Sequence, residues 1–95
     1  MSVITIEGSL EPKGYEQLTT LSSVKSLTPP VGARFAIIQA TDQAVRWRDD
    51  GTNPTASSGM QLEAGRDFWY TGDLSALRII EETASAKVNV SYYTG

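Results

Sequence analysis

The chain contains neither cysteine nor histidine. Without cysteine there can be no disulfide and no thiolate metal site to reinforce a small core. That absence also fits a protein made in a reducing cytoplasm. Without either residue, the thiol nucleophile and the usual base near neutral pH are missing. Positive charge is in short supply too: eight Lys and Arg stand against 11 Asp and Glu, for a net charge of -3. The cations are scattered and form no stripe that would neutralise phosphates, so neither nucleic acid nor an anionic membrane is an expected partner. No apolar run approaches the roughly 20 residues of a membrane span. The opening Met1–Glu7 lacks the basic and long apolar regions of a secretory signal, so export by that route is not expected. No segment keeps a helical period over three turns, and there is neither an internal repeat nor a low-complexity stretch.

What remains is a series of short alternating segments. A chain of 95 residues is expected to form one domain. Its core is thin, because a domain of this size buries only about 60–65% of its unfolded surface. Val3–Glu7 alternates as a first strand, and Glu11-Pro12-Lys13-Gly14 reads as the turn that ends it. Tyr15–Leu21 leans toward strand, and Ser22–Leu27 alternates again. Thr28-Pro29-Pro30 forces an extended corner. Ala33–Ala40 is the best strand, mostly apolar and suited to the middle of a sheet. With Thr41-Asp42-Gln43 as a break, it and Ala44–Arg48 read as a β-hairpin. Met60–Ala64, Asp67–Thr71, Leu74–Glu81 and Ala86–Tyr93 follow, the last with Ala86, Val88, Val90 and Tyr92 on one face. Seven to eight short strands with turns every 8–12 residues predict an all-β fold, an antiparallel sandwich or a jelly-roll-like barrel. The whole chain, 1–95, is one β domain with residues 31–95 as its main body. Residues 1–30 suit either an extended N-terminal arm or part of the sandwich.

The most distinctive stretch is Arg46-Trp47-Arg48-Asp49-Asp50-Gly51-Thr52-Asn53-Pro54-Thr55-Ala56-Ser57-Ser58-Gly59-Met60. It reads as a strand end, a wide polar turn and the start of the next strand. Val45 and Trp47 point one way, Arg46 and Arg48 the other. Asp50-Gly51 marks a turn, Asn53-Pro54 holds the chain extended and Gly59 closes the loop. The oxygens of Asp49, Asp50 and Asn53 could ligate Ca²⁺, but their spacing does not match an EF-hand, and the favoured reading is a turn in which they bond nearby backbone. Arg46 and Arg48 could neutralise these acids or pair across a subunit boundary.

The second notable feature is the run Phe68-Trp69-Tyr70. In a strand, Phe68 and Tyr70 share one face and Trp69 takes the other. Ile79-Ile80 and Tyr92-Tyr93 repeat the pattern. Large apolar groups on both faces of several strands imply that a second face is covered, and a subunit interface would cover it. The plainer alternative is an irregular sandwich in which Trp69 lies over a neighbouring side chain. A third is a sugar-stacking platform of Trp69 and Tyr70, against which stands the lack of an evident acidic or amide cluster beside it.

Catalysis finds little support. Glu81 and Glu82 are adjacent in a strand and point to opposite faces. Asp49 and Asp50 sit in a solvated turn, nothing activates Ser57 or Ser58, and no phosphate-binding glycine pattern is present. The chain is therefore not expected to be an enzyme, and neither cofactor nor metal is expected.

The segment Ala33–Tyr93 resembles small all-β virion proteins of tailed bacteriophages and prophages. The residues that carry the resemblance are Val45–Met60, the spaced Gly65, Tyr70 and Gly72, and the closing Ala86–Tyr93. The resemblance implies a structural part of the particle, either capsid decoration or cement or a head–tail component, and a homo-oligomer. It brings no catalytic residues. The function expected is therefore a non-catalytic protein, made in the host cytoplasm and located in the virion. It binds copies of itself, a trimer being one possibility, and other virion proteins such as the major capsid protein. The expected contact residues are Arg46, Arg48, Asp49, Asp50, Asn53, Phe68, Trp69, Tyr70, Tyr92 and Tyr93, with the Asp49–Ser58 loop meeting a partner. The alternative function is a carbohydrate-binding, host-recognition module of a virion.

Overall fold

A computed structural model describes residues 10–94. These residues form eight strands: β1 Glu11–Leu18, β2 Lys25–Ser26, β3 Phe35–Thr41, β4 Val45–Arg48, β5 Met60–Leu62, β6 Asp67–Tyr70, β7 Arg78–Glu81 and β8 Lys87–Thr94. A single 3-10 turn, Leu74–Ala76, precedes β7. The strands make two four-stranded antiparallel sheets, ordered β1-β8-β3-β6 and β2-β7-β4-β5. The all-β antiparallel sandwich predicted from alternation is the architecture found, and the sheets stay open rather than closing into a barrel.

The chain changes sheet between almost every pair of consecutive strands; only β4 and β5 are neighbours in both sequence and space. The expected β3–β4 hairpin is therefore wrong. β3 hydrogen-bonds β8 along one edge and β6 along the other, so no edge is left for β4. Asp42-Gln43-Ala44 is instead a corner between sheets, turned at Asp42 with φ 72°.

Three other boundaries move. Glu11–Gly14, expected as a turn, is the first half of β1, with a bulge between Pro12 and Gly14. Proline is tolerated there because β1 is an edge strand with a free donor side. Of Ser22–Leu27, only Lys25–Ser26 pairs as strand. Leu74–Glu81 begins as the 3-10 turn, because the Asp73 side chain accepts from the Ser75 backbone N–H and caps it. Residues 11–26 contribute a strand to each sheet. The expected strand Val3–Glu7 lies outside the described residues.

The core lies between the sheets. Ala36, Ile38 and Ala40 from β3 and Val88, Val90 and Tyr92 from β8 face Val45, Leu62 and Ile79 of the second sheet. The alternation expected for Ala86–Tyr93 is thus the buried face of β8. Leu21, Leu27, Leu74 and Leu77 close the ends. No helix among the described residues is long and apolar enough to cross a membrane.

Candidate binding surfaces

The β4–β5 loop is built from its base upward. β4 and β5 pair Val45 with Leu62, Arg46 with Gln61 and Trp47 with Met60. Trp47 faces inward, stacked on Phe68 at 5.3 Å between ring centroids and edge-on to Tyr70 at 6.0 Å. On the outward side, Arg46 Nε donates to Glu82 at 2.7 Å, and its Nη1 reaches the Gly59 carbonyl at 3.0 Å. Gln61 donates to the same Glu82 carboxylate. The Arg46 guanidinium, followed by the Gln61 amide, holds the Glu82 carboxyl below the usual range.

Each polar residue of the loop entry has its own tether. The Tyr70 hydroxyl donates to Asp49 Oδ2 at 2.8 Å, and lies 3.1 Å from the Asp73 carbonyl. Asp50 receives both Nε and Nη2 of Arg48, which lowers its pKa. Arg78 Nη1 donates to Asn53 Oδ1 at 3.0 Å. Arg48 and Arg78 sit opposite one another in register, and these two acceptors draw their like charges apart. Pro54 is fully buried and anchors the middle of the loop. Thr55 and Ser58 exchange backbone hydrogen bonds across the tip.

Gly59 is required by this packing. Its φ is +131°, and a Cβ there would lie 3.1 Å from the Trp47 carbonyl and 3.2 Å from the Pro54 side chain. The tip residues Gly51, Thr52, Thr55, Ala56, Ser57 and Ser58 remain exposed on this fastened base. Asp49, Asp50 and Asn53 accept from three different protein donors rather than converging on one point.

The aromatic residues divide between the interior and one outer face. Tyr70 and Tyr92 are core residues, and Phe68 packs against the core. Burial, with Asp49 at one hydroxyl and Glu16 at the other, pushes both tyrosine pKa values above the ordinary phenol value. Trp69, by contrast, is 41% exposed on the outer face of the first sheet. Its ring meets that of Tyr93 at 5.4 Å, above β3, which separates their strands. The interface aromatics expected from sequence are thus reduced to these two, with Phe68, Tyr70 and Tyr92 committed to the subunit's own interior.

Beside Trp69 lies a feature that strand-by-strand reading missed. Gln17, Asn89, Gln39 and Asp67 stand in register across all four strands of the first sheet. Asn89 Oδ1 accepts from Gln17 at 3.0 Å and from the Tyr15 hydroxyl at 2.6 Å, while Asn89 Nδ2 donates to Gln39 at 3.1 Å. The adjacent row is Tyr15, Ser91, Ile37 and Trp69. Alternation puts each of these residues on an outward face, but only the strand order makes them neighbours.

Comparison with protein-family models, curated proteins and solved structures gave no match. Among the described residues, no group of three or more acidic side chains is placed to hold a metal ion.

Proposed function

We propose that this chain is a non-catalytic structural protein of a bacteriophage particle. It stabilises the capsid or a head–tail assembly through contacts with copies of itself and with neighbouring virion proteins such as the major capsid protein. The observation that carries this reading is the Asp49–Ser58 loop, with its base fastened by Arg46, Tyr70, Arg78 and Pro54 and its tip open. A loop ordered before it meets a partner loses little conformational entropy on binding. The stretch Val45–Met60, which contains this loop, also carries much of the resemblance to small phage virion proteins. Repetition on a shell multiplies weak contacts of this kind.

The test is mass spectrometry of particles purified from a strain that carries the gene. The protein is expected at a fixed ratio to the major capsid protein. A double variant, Thr52→Arg with Ser57→Arg, is expected to keep its melting temperature and to drop out of the particles. Absence of the wild-type protein from purified particles overturns the reading. Light scattering checks the self-contact separately, and a strictly monomeric species at high concentration removes that half of the proposal.

A further inference from the structure

The outer face of the first sheet combines two kinds of chemistry in adjacent rows. One row is polar and uncharged except at its end: Gln17, Asn89 and Gln39 form a hydrogen-bonded amide chain that leads to Asp67. The other row carries flat apolar surface: Tyr15, 65% exposed, at one side and Trp69 at the other. Between them is a shallow depression of about 270 Å³ lined by Tyr15, Ile37, Gln39, Asp67, Asn89 and Ser91. Four strands at about 4.8 Å spacing make the platform about 14 Å across.

We infer that this face binds a neutral oligosaccharide. A sugar ring presents apolar C–H patches on its faces and hydroxyls around its rim, and the two rows offer a counterpart to each. The Trp69 indole meets Tyr93 on one side and is 41% exposed, which leaves flat apolar surface for stacking. The amides are already oriented. Asn89 uses Oδ1 and Nδ2 within the chain, whereas Gln39 Nε2 and the Asp67 carboxylate make no hydrogen bond among the described residues. One donor and one acceptor group therefore point at the same depression, a pairing suited to vicinal hydroxyls. Charge selects against anionic sugars, since Asp67 is the only charged residue in the two rows. A protein seam fits less well, because interface centres are apolar and a covering subunit would have to satisfy the whole amide row. This inference goes beyond the assembly role and stands or falls independently of it.

The test is titration of the intact ¹⁵N-labelled protein with cellohexaose, maltohexaose and chitohexaose at millimolar concentration. The chain has two tryptophans, so the indole N–H signals separate the inward stack of Trp47 from the outer face. At least one sugar is expected to shift the Trp69 indole together with the Gln39 and Asn89 side-chain amides, leaving Trp47 in place. Trp69→Ala is expected to abolish the shifts while the rest of the spectrum is kept, and Gln39→Ala to weaken binding about tenfold. No response to any of the three sugars overturns the inference, as does a response confined to other residues. If Trp69 shifts with protein concentration alone, and light scattering shows Trp69→Ala breaking an oligomer, the face is a seam between copies and the inference is wrong.

Discussion

The outward faces of the two sheets solve the same problem differently. On the second sheet, Arg46, Arg48 and Arg78 stand in a small area, and every one of them is answered locally: by Glu82 and the Gly59 carbonyl, by Asp50 and by Asn53. Three of those four acceptors belong to the loop or its rim, so satisfying the sheet's charges also shapes the loop. On the first sheet the two outward rows carry three amides and two exposed aromatics, with Asp67 as their one charge. Gln17, Asn89 and Gln39 are linked by hydrogen bonds, and Trp69 and Tyr93 meet, but Trp69 and Tyr15 stay exposed among the described residues. The second sheet spends its surface on holding itself in shape, and the first leaves a surface with hydrogen-bonding capacity to spare. The exposed ion pairs contribute little energy each, and their effect is on geometry.

The contrast is sharpest between the two tryptophans. Trp47→Ala removes the stack on Phe68 and the edge contact with Tyr70, and should cost about 3–5 kcal/mol in denaturant unfolding. Trp69→Ala, from the open face, should cost about 1 kcal/mol or less. Equal losses at both positions would erase the distinction between the faces.

Smaller effects probe the loop's fastening. Tyr70→Phe leaves Asp49 Oδ2 without its hydroxyl donor, at about 1–3 kcal/mol. Gly59→Ala forces a side chain into a glycine-only backbone against the Trp47 carbonyl, also at about 1–3 kcal/mol. Both are read from the shift of the urea midpoint. Gly72 guards the same tyrosine, since a Cβ there would lie 2.7 Å from the Tyr70 Cζ.

Titration separates the faces from the interior. The carboxyls of Glu82, Asp50 and Asp73 are depressed in the folded state, by the Arg46 guanidinium, the Arg48 guanidinium and the Ser75 hydroxyl respectively. Each stays ionised to lower pH when folded than when unfolded. Their stabilisation is therefore present above the ordinary values, 4.5 for Glu and 3.8 for Asp, and is lost as pH falls through the folded values. Tyr70 and Tyr92 are raised, so the opposite sign holds. Their contribution is intact below pH 10.0 and declines as pH rises above it, because the unfolded chain ionises first. Melting temperatures across pH should show both limbs. Arg46→Gln should flatten part of the acid limb, and Tyr92→Phe part of the alkaline one.

Much of this fold is legible in the residues, and the illegible part has a common cause. Alternation at Ala86–Tyr93 identifies the buried face of β8 because one face is wholly apolar. Asp50-Gly51 and Gly59 mark the loop because backbone geometry leaves few alternatives there. Strand order is another matter. Nothing local to Thr41-Asp42-Gln43 reveals that both edges of β3 are taken by β6 and β8, strands at least 25 residues away in the chain. The same blindness hides the amide row, whose members come from β1, β3, β6 and β8, and the Arg46–Glu82 pair, which spans β4 and the end of β7. Phe68, Tyr70 and Tyr92 looked surplus because the sequence does not reveal how much volume opens between the sheets near Trp47. The structure fills that volume with Phe68 and Tyr70 around the indole.

The proposed role depends most on the Asp49–Ser58 loop being fixed by its own subunit before any partner arrives. Backbone ¹⁵N order parameters of the free protein measure this directly. Residues 49–59 should match the sheet strands, near about 0.85, whereas values below about 0.6 across the tip and its base would show a loop that its tethers do not hold and would contradict the account.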